Sequence, residues 1–254
     1  MAKRQGYKDY YVAFVDILGF KNLIANSRFD EILDIYWHFM NEGESNPTSG
    51  FYSAVDDCAQ DEVSLHIKNF NRALLKTSYQ YFSDCIVIAV PCLNAEALAV
   101  VIEICNYLQE SMFDCSQPVF LRGAITKGPL YINNKKSILF GKGLVDAYQA
   151  ESAIAKYPRI IIAENVVKSG IVDWDNAYPH KLVKDIDGYY YINSLGRYLE
   201  EFEQNDRKWK HLNDYIEGVL GSYITADIRE KYLWLENKVD SIMAKDRVIN
   251  VIDR

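Results

Sequence analysis

Two aspartates interrupt apolar segments of the sequence where a carboxylate is costly to bury. Asp16 lies in the strand-like run YYVAFVDIL, and Asp84 lies in YFSDCIVI between two apolar runs. Each alone also fits a strand cap or a turn residue, but a buried carboxylate normally requires a cation or a metal. Two convergent carboxylates suit Mg²⁺ or Mn²⁺, with further oxygen ligands from a nucleoside triphosphate. Two such ions promote phosphoryl transfer by activating the attacking oxygen and neutralising the leaving pyrophosphate.

The apolar pattern around both aspartates predicts the elements that hold them. Residues 10–18 form a buried strand that ends at Gly19, and a helix beginning near Phe20–Asn22 offers N–H groups to phosphate oxygens. Further helices are predicted over 29–40, over 94–113 with Asn94 as N-cap, and over 141–156, and the ambiguous stretch 51–72 is expected to be helical from Asp56. Strands are predicted over 74–81, 85–90, 119–126, 130–132 and 159–163, with a break at Gly128-Pro129. A hairpin is predicted over 182–193, turning at Asp187-Gly188.

This order predicts an α+β fold with a split βαβ, ferredoxin-like core and helices on one side of a mixed sheet. In such a core the end of the first strand lies beside the tip of the later hairpin, so Asp16 and Asp84 face one another. From about Tyr198 the pattern is helical. We therefore expect a catalytic domain over 1–195 and a helical extension over 196–254 packed on it. Trp209 and Trp234 in this extension fit core packing better than a partner surface.

Composition narrows the classes of partner and compartment. The 254 residues carry 28 Lys+Arg against 35 Asp+Glu, a net charge of −7, which disfavours nucleic acid as a partner. The polar start of the sequence predicts no signal peptide, and no run approaches the ~20 apolar residues of a membrane span. The five cysteines include no CxxC pair, so we expect neither zinc nor disulfides and a cytoplasmic location.

Four blocks of the sequence resemble the successive blocks of class III nucleotidyl cyclase catalytic domains. The resemblance is closest to the bacterial pyrimidine cyclases of the Pycsar antiphage systems and covers roughly residues 8–165. The blocks are FVDILGF at 14–20, FSDCIVI at 82–88, LRGAITKGPLYI at 121–132 and FGKGLVDAYQAES at 140–152. The resemblance implies a homodimer with active sites at its interface, two Mn²⁺ or Mg²⁺ ions per site, and conversion of a nucleoside triphosphate to its 3′,5′-cyclic monophosphate.

Site residues carry over from the resemblance position by position. Asp16 and Asp84 match the metal-binding carboxylates, and Ile17 matches the residue whose backbone carbonyl completes the second metal site. Phe14, two residues from Asp16 on the same strand face, is expected to flank the nucleotide. Gly19 and Phe20 are expected beside the phosphates.

Two departures from the purine cyclases concern the base. Gln80 stands where those enzymes have a Lys, and Ile138 stands where they have the second base-reading carboxylate. ATP is therefore disfavoured. The Gln80 amide can address uracil or cytosine, although it also fits a solvent-facing strand residue. Tyr79 and Tyr81 offer bulk that narrows a pocket towards one ring.

A further departure concerns charge stabilisation. Asp146 and Ala150 replace the Asn and Arg that orient the ribose and stabilise transition-state charge in the family. Another cation must then stabilise the transition-state charge, and the candidates are Arg122, Lys142 and Lys21. Arg122 equally fits a structural ion pair. On the same helix Tyr148 and Glu151 fit the pyrimidine-cyclase pattern, either orienting substrate or packing the helix.

Together these features favour a uridylate cyclase that makes cyclic UMP for antiphage defence, sensed by a separate effector protein. A cytidylate cyclase, a purine cyclase with altered base contacts, and a catalytically silent cyclase-like scaffold are the alternatives. The replaced Asn and Arg favour the scaffold. Retention of both Asp16 and Asp84 disfavours it, because paired carboxylates repel without metal.

Overall fold

The computed structural model describes residues 6–44, 60–169, 182–200 and 206–252. Its strands are β1 Lys8–Ile17, β2 Ser78–Phe82, β3 Cys85–Pro91, β4 Leu121–Asn133, β5 Ile138–Phe140, β6 Ile160–Ile162, β7 Leu182–Lys184 and β8 Tyr190–Ile192. Its helices are α1 Phe20–Asn26, α2 Phe29–Glu44, α3 Gln60–Leu74, α4 Ala97–Phe113, α5 Lys142–Ile154, α6 Glu164–Val167, α7 Ser194–Glu200, α8 Asp206–Gly221 and α9 Ala226–Ile252. The predicted hairpin turn at Asp187-Gly188 is confirmed, and residues 51–59 of the ambiguous stretch lie outside the described residues.

The sheet has the order β2-β3-β1-β4-β6-β8-β7, and β5 pairs with β4. Strand β1 is antiparallel to β3 on one side and to β4 on the other, and β2 is antiparallel to β3. The connections from β1 to β2 and from β3 to β4 therefore each skip one strand position, which is the arrangement of a split βαβ core. The predicted α+β fold with a mixed sheet is confirmed, since β6 runs parallel to β4. The predicted placement of the helices on one side of the sheet is wrong, because α4 and α5 pack on opposite faces.

Central strand β1 divides its side chains between two apolar layers because successive residues of a strand point to opposite faces. Tyr11, Ala13, Val15 and Ile17 join the main core, which includes much of α4. Val12 lies on the other face in a smaller cluster with Ala147 of α5. Asp16 shares the face of Val12, so it points to the α5 side of the sheet.

The predicted break at Gly128-Pro129 is wrong, because β4 continues through both residues. Gly128 pairs with Tyr10, and Pro129 pairs with Asp9. A Cβ on Gly128 would lie 3.0 Å from Cα of Gly143, so glycine here permits the close approach of α5 to the sheet.

Two other predicted boundaries differ from the structure. Helix α4 begins at Ala97 after Glu96, because Asn94 donates its amide to the carbonyl of Asn69 (2.8 Å) instead of capping the helix. Strand β2 begins only at Ser78, since the apolar residue Leu74 ends helix α3.

The C-terminal helices pack on the end of the core. Phe113 and Phe120 share an apolar cluster with residues of α7, α8 and α9, namely Tyr198, Leu199, Leu212, Ile216, Leu235 and Val239. The division into domains over 1–195 and 196–254 stays a prediction. Within the described residues, no helix is both long and apolar enough to cross a membrane.

A buried ion network joins helix α9 to the sheet. Arg159, 2% exposed, donates to Asp185 and Asp187 of the β7–β8 hairpin. Lys238 of α9 donates to Asp185 Oδ1 at 2.9 Å, and Trp234 Nε1 donates to its Oδ2 at 3.2 Å. Burial opposes ionisation of Asp185, but these bonds and charges more than offset it and lower its pKa. The network therefore holds a charged carboxylate inside the protein.

We predict that Arg159→Met lowers the free energy of unfolding by about 3–5 kcal/mol, because it leaves the buried Asp185 carboxylate undercompensated. Urea denaturation at neutral pH measures this loss. The loss should shrink when the pH falls through the lowered pKa of Asp185, since protonation removes the charge that Arg159 stabilises.

Lys168→Met is the matched control. Its exposed ion pair with Glu164 (2.6 Å) should contribute at most about 0.5 kcal/mol, and equal losses in the two variants would contradict the prediction.

Candidate active site

Asp16 and Asp84 come together where β1 meets the β2–β3 hairpin. Asp16 pairs in register with Cys85 of β3. The next residue, Ile17, donates its backbone N–H to the carbonyl of Asp84 at 2.9 Å. The Ile17 side chain is buried in the main core. Strand pairing therefore fixes the two aspartates beside each other, although 68 positions separate them in the sequence.

A tyrosine of α2 supports the turn that carries Asp84. Tyr36 donates its hydroxyl to the carbonyl of Ser83, whose φ of 51° lies in the left-handed region. The Phe20 ring packs edge-on against Tyr36, with centroids 6.0 Å apart. Burial, and then the charge of Asp84, raise the pKa of Tyr36. The sequence analysis missed Tyr36, because no local pattern connects α2 with a turn 47 residues later.

Arg122 lies opposite Asp16 on β4 and binds it directly. The two residues are partners in the β1–β4 register. Arg122 donates to Asp16 Oδ2 from Nε at 3.0 Å and from Nη2 at 2.9 Å. The same Nη2 lies 3.0 Å from Oε1 of Glu151 on α5. One guanidinium is thus shared by a strand carboxylate and a helix carboxylate.

Negative charge exceeds positive charge among these groups. Burial raises the pKa of Asp16 to about 6 against the opposing effect of Arg122, and the charges of Asp84 and Glu151 raise it further. Burial also raises the pKa of the neighbouring Cys85 thiol to about 11, with Asp84, Asp16 and Glu151 adding to the effect. Three carboxylates around one arginine form an environment that attracts a cation.

The donor set fits a hard divalent cation that takes the rest of its ligands from outside the chain. Asp16 uses Oδ2 to bind Arg122, and Asp84 lies beside it. No group of three His, Cys, Asp or Glu side chains with metal-binding geometry occurs in the described parts of the chain. Ions here would therefore be held by Asp16, Asp84 and the Ile17 carbonyl together with substrate oxygens, the ligand type that Mg²⁺ and Mn²⁺ prefer.

The predicted nucleotide-binding residues divide between the two faces of the sheet. Phe14 is in register with Val87, which is in register with Gln80, so both residues share the face of Asp16. The Phe14 ring contacts Tyr148 of α5 with centroids 5.5 Å apart. Tyr79 lies on the opposite face and packs against the main core. The structure thus separates Tyr79 from the other predicted residues of the site.

Gly19 and Phe20 mark the turn from β1 into α1. Gly19 has φ of 76° and is the N-cap residue of α1, which begins at Phe20 as predicted. Since Gly19 adopts a left-handed conformation, a residue with a Cβ would be strained there. Phe20 packs against the main core, so only its backbone remains a candidate phosphate contact.

Of the three candidate cations, only Arg122 touches Asp16. Lys142 binds Asp146 one turn along α5 (2.7 Å) and neighbours Gly143, which lies beside Gly128 near the other end of β1. Its proposed role at the carboxylates is therefore corrected.

The remaining candidate cation, Lys21, and two of the positions that depart from the family pattern, Ala150 and Ile138, differ in burial. Lys21 is exposed in α1. Ala150 is buried, and Ile138 is exposed on β5.

A cavity of about 550 Å³ lies next to this site without including it. It is lined by Gly19 and Asn22 and by residues of the C-terminal helices, among them Tyr215, Lys231 and Tyr232. Neither Asp16 nor Asp84 lines it. The Asp16 side chain instead points to the α5 face of the sheet, outside this cavity.

Comparison with known proteins gives matches among solved structures. No family model matches the sequence, and no curated protein matches it. The catalytic core of a rhodopsin-guanylyl cyclase with converted specificity, in complex with ATPαS, is 13% identical, covers 74% of this chain and 96% of its own, and has a TM-score of 0.48. The adenylyl cyclase CyaB from P. aeruginosa is 13% identical over 73% of this chain and 94% of its own, with a TM-score of 0.44.

A third solved structure is a class III adenylyl cyclase-like ATP-binding protein from Pseudomonas aeruginosa. It is 10% identical, covers 86% of this chain and 46% of its own, and has a TM-score of 0.41. The activities and nucleotides named here are those of the matched proteins.

Proposed function

We propose that this chain is a class III nucleotide cyclase that converts UTP to 3′,5′-cyclic UMP and pyrophosphate. The observation that carries the proposal is the convergence of Asp16, which binds Arg122, with Asp84 of the β2–β3 turn at the end of the central strand of a split βαβ sheet. Both aspartates lie in the sequence blocks that resemble class III cyclases. The proposal thus rests on residues whose chemistry and spatial arrangement agree with the same reaction.

The reaction joins the 3′-oxygen of the ribose to the α-phosphorus and breaks the bond from that phosphorus to the oxygen of the leaving pyrophosphate. Divalent ions, when bound, lower the pKa of the attacking hydroxyl and neutralise the leaving group. Asp16, Asp84 and the Ile17 carbonyl hold them. Arg122, 27% exposed in its side chain, is the cation available to stabilise charge on the phosphoryl oxygens.

The choice of base rests on Gln80. Gln80 and Ile138 cannot form the Lys and carboxylate pair that reads adenine in the family. The Gln80 amide can donate to O4 of uracil, or accept from N4 of cytosine after a flip of the amide. Phe14 and Tyr148 provide aromatic surface on the same face. We favour UTP because uridylate cyclases are the commoner members of the family that the sequence resembles, and cytidylate cyclase is the alternative.

A homodimer with its sites at the interface accounts for the open face around the carboxylates. Phe82, whose register aligns it with Asp16, is 51% exposed, and Tyr148 is 54% exposed. Exposed aromatic groups next to a site mark an interaction surface. In the proposed dimer, one protomer supplies the metal carboxylates and its partner supplies the strand that carries Gln80.

The cellular role follows from the sequence resemblance alone. Pycsar cyclases make cyclic pyrimidine nucleotides in antiphage defence, so we propose cytoplasmic production of cyclic UMP that a separate effector protein senses. A silent scaffold remains the second candidate, because Ala150 is buried where the family has its catalytic Arg. Product formation from purified protein separates these two functions.

We predict that Asp16→Ala and Asp84→Ala each lower cyclic nucleotide formation by on the order of a hundredfold or more. Each variant loses a ligand for cations that stabilise the transition state by several kcal/mol. The assay incubates purified protein with all four ribonucleoside triphosphates and Mn²⁺ and identifies products by mass. Asp9→Ala removes an exposed carboxylate from the other end of the same strand and should keep full activity. Full activity in either site variant would exclude this metal assignment.

We predict that equimolar UTP and CTP give mainly cyclic UMP. A site that hydrogen-bonds the base edge rejects the wrong base by a few kcal/mol, because mismatched donors stay buried and unpaired. Gln80→Ala should reduce the ratio of the two products towards one while Asp9→Ala leaves it unchanged. Predominant cyclic CMP would overturn the base assignment, and predominant cyclic AMP would also overturn the interpretation of Gln80 and Ile138.

We predict a symmetric dimer whose interface buries well over ~1,000 Å². Sedimentation at micromolar concentration measures the mass. Mixing Asp16→Ala with Gln80→Ala should restore part of the preference for UTP that Gln80→Ala lacks, because a hybrid dimer contains one intact site. A monomer that turns over substrate would contradict both the interface and the shared site.

A further inference from the structure

Glu151 is a buried carboxylate whose hydrogen bonding is incomplete. Its side chain is 4% exposed. Oε2 accepts a hydrogen bond from Ser152 Oγ at 2.9 Å. Oε1 is buried and accepts no hydrogen bond, although it forms an ion pair with Arg122 Nη2 at 3.0 Å, whereas Nε and Nη2 of the same guanidinium donate to Asp16. A buried acceptor of this kind is costly unless another arrangement of the site satisfies it.

Arg122 and a divalent cation draw on the same carboxylate. Both Nε and Nη2 of Arg122 donate to Oδ2 of Asp16. A cation bound by Asp16 repels this guanidinium and competes with it for oxygen lone pairs. If Arg122 moved away from Asp16 and found no other acceptor, its partly buried positive charge would lose the negative charge that compensates it.

We infer that Glu151 is a positioning residue that receives Arg122 when a divalent cation binds Asp16. A small rotation of the guanidinium turns Nη2 from Asp16 Oδ2 to Glu151 Oε1, which satisfies the unpaired oxygen and keeps the arginine beside the site. Glu151 acts through Arg122 and not as a metal ligand, since it forms no three-residue metal group with Asp16 and Asp84 in the described chain. This inference rests on the proposed function for its catalytic meaning.

A double-mutant cycle on Mn²⁺ binding tests the inference without nucleotide or turnover. The variants are Glu151→Gln, Arg122→Gln and both together, and the readout is free Mn²⁺ by electron paramagnetic resonance. Arg122→Gln should tighten Mn²⁺ binding about tenfold, because the competing charge-assisted bonds to Asp16 are lost. Glu151→Gln should weaken binding about tenfold when Arg122 is present, because the displaced guanidinium then has no carboxylate acceptor.

The decisive comparison is the effect of Glu151→Gln in the Arg122→Gln background. We expect no more than a twofold change there, because Glu151 has no guanidinium to receive. An equal loss in both backgrounds would mean that the Glu151 charge acts on the metal directly and would overturn the inference. If Glu151→Gln alone folds poorly, the comparison of Arg122→Gln with the double variant still tests the inference, because more than a twofold difference between them would mean that Glu151 acts on the metal without Arg122.

Two controls separate this inference from the proposed function. Asp146→Asn changes an acidic residue of the same helix that binds Lys142 and should leave Mn²⁺ binding unchanged. Asp16→Ala should abolish Mn²⁺ binding at the site. Wild-type Mn²⁺ affinity in Asp16→Ala would overturn the metal site and with it the proposed function, whereas loss of binding together with equal effects of Glu151→Gln in both backgrounds would overturn only the role of Glu151.

Discussion

The burial of the Asp16 carboxylate is the constraint on which the rest of the site depends. A charged group on the central strand of an apolar sheet requires a partner, and Arg122 supplies one from the adjacent strand. Because this partner is fixed by the β1–β4 register, the ion pair cannot form if either strand slips by one residue, which would move the side chain to the opposite face. Packing of α5 on the same face of the sheet brings Glu151 within 3.0 Å of Arg122, so the fold and the site depend on the same arginine.

The ion clusters around Arg159 and around Arg122 differ in how completely their charges are compensated. Around Arg159 two carboxylates meet two cations, and Arg159 and Asp185 are nearly sealed from solvent even though Arg159 Nε makes no hydrogen bond. This balance of charge suits a fixed joint between α9 and the sheet. Around Arg122 the charge is unbalanced, the arginine is partly exposed, and one carboxylate oxygen lacks a hydrogen bond. Incomplete compensation costs stability. A site that must admit cations and a polyanionic substrate benefits from charges that the protein itself leaves uncompensated.

The sequence predicted what depends on local apolar pattern and failed where tertiary contacts decide. The apolar strand patterns predicted the order of the core elements, and the split βαβ topology predicted that Asp16 lies beside Asp84. The continuation of β4 through Gly128-Pro129 did not, because it depends on Gly143 of a distant helix. Tyr79 was assigned to the nucleotide by its bulk, although alternation along β2 puts it on the face opposite Gln80. Tyr36 and the unpaired oxygen of Glu151 needed three-dimensional distances.

The position of Gln80 explains why metal binding and base choice can vary independently in the proposed enzyme. Asp16 lies on the central strand, where a change of register would disrupt two neighbouring pairings. Gln80 lies on β2, the first strand of the sheet order, about 10 Å across the sheet from Phe14 by the spacing of two strands. A substitution at this edge changes one hydrogen bond to the base and leaves the carboxylates in place. In the proposed enzyme the base contact of Gln80 would therefore lie on an edge strand, whereas Asp16 is held by the register of the central strands.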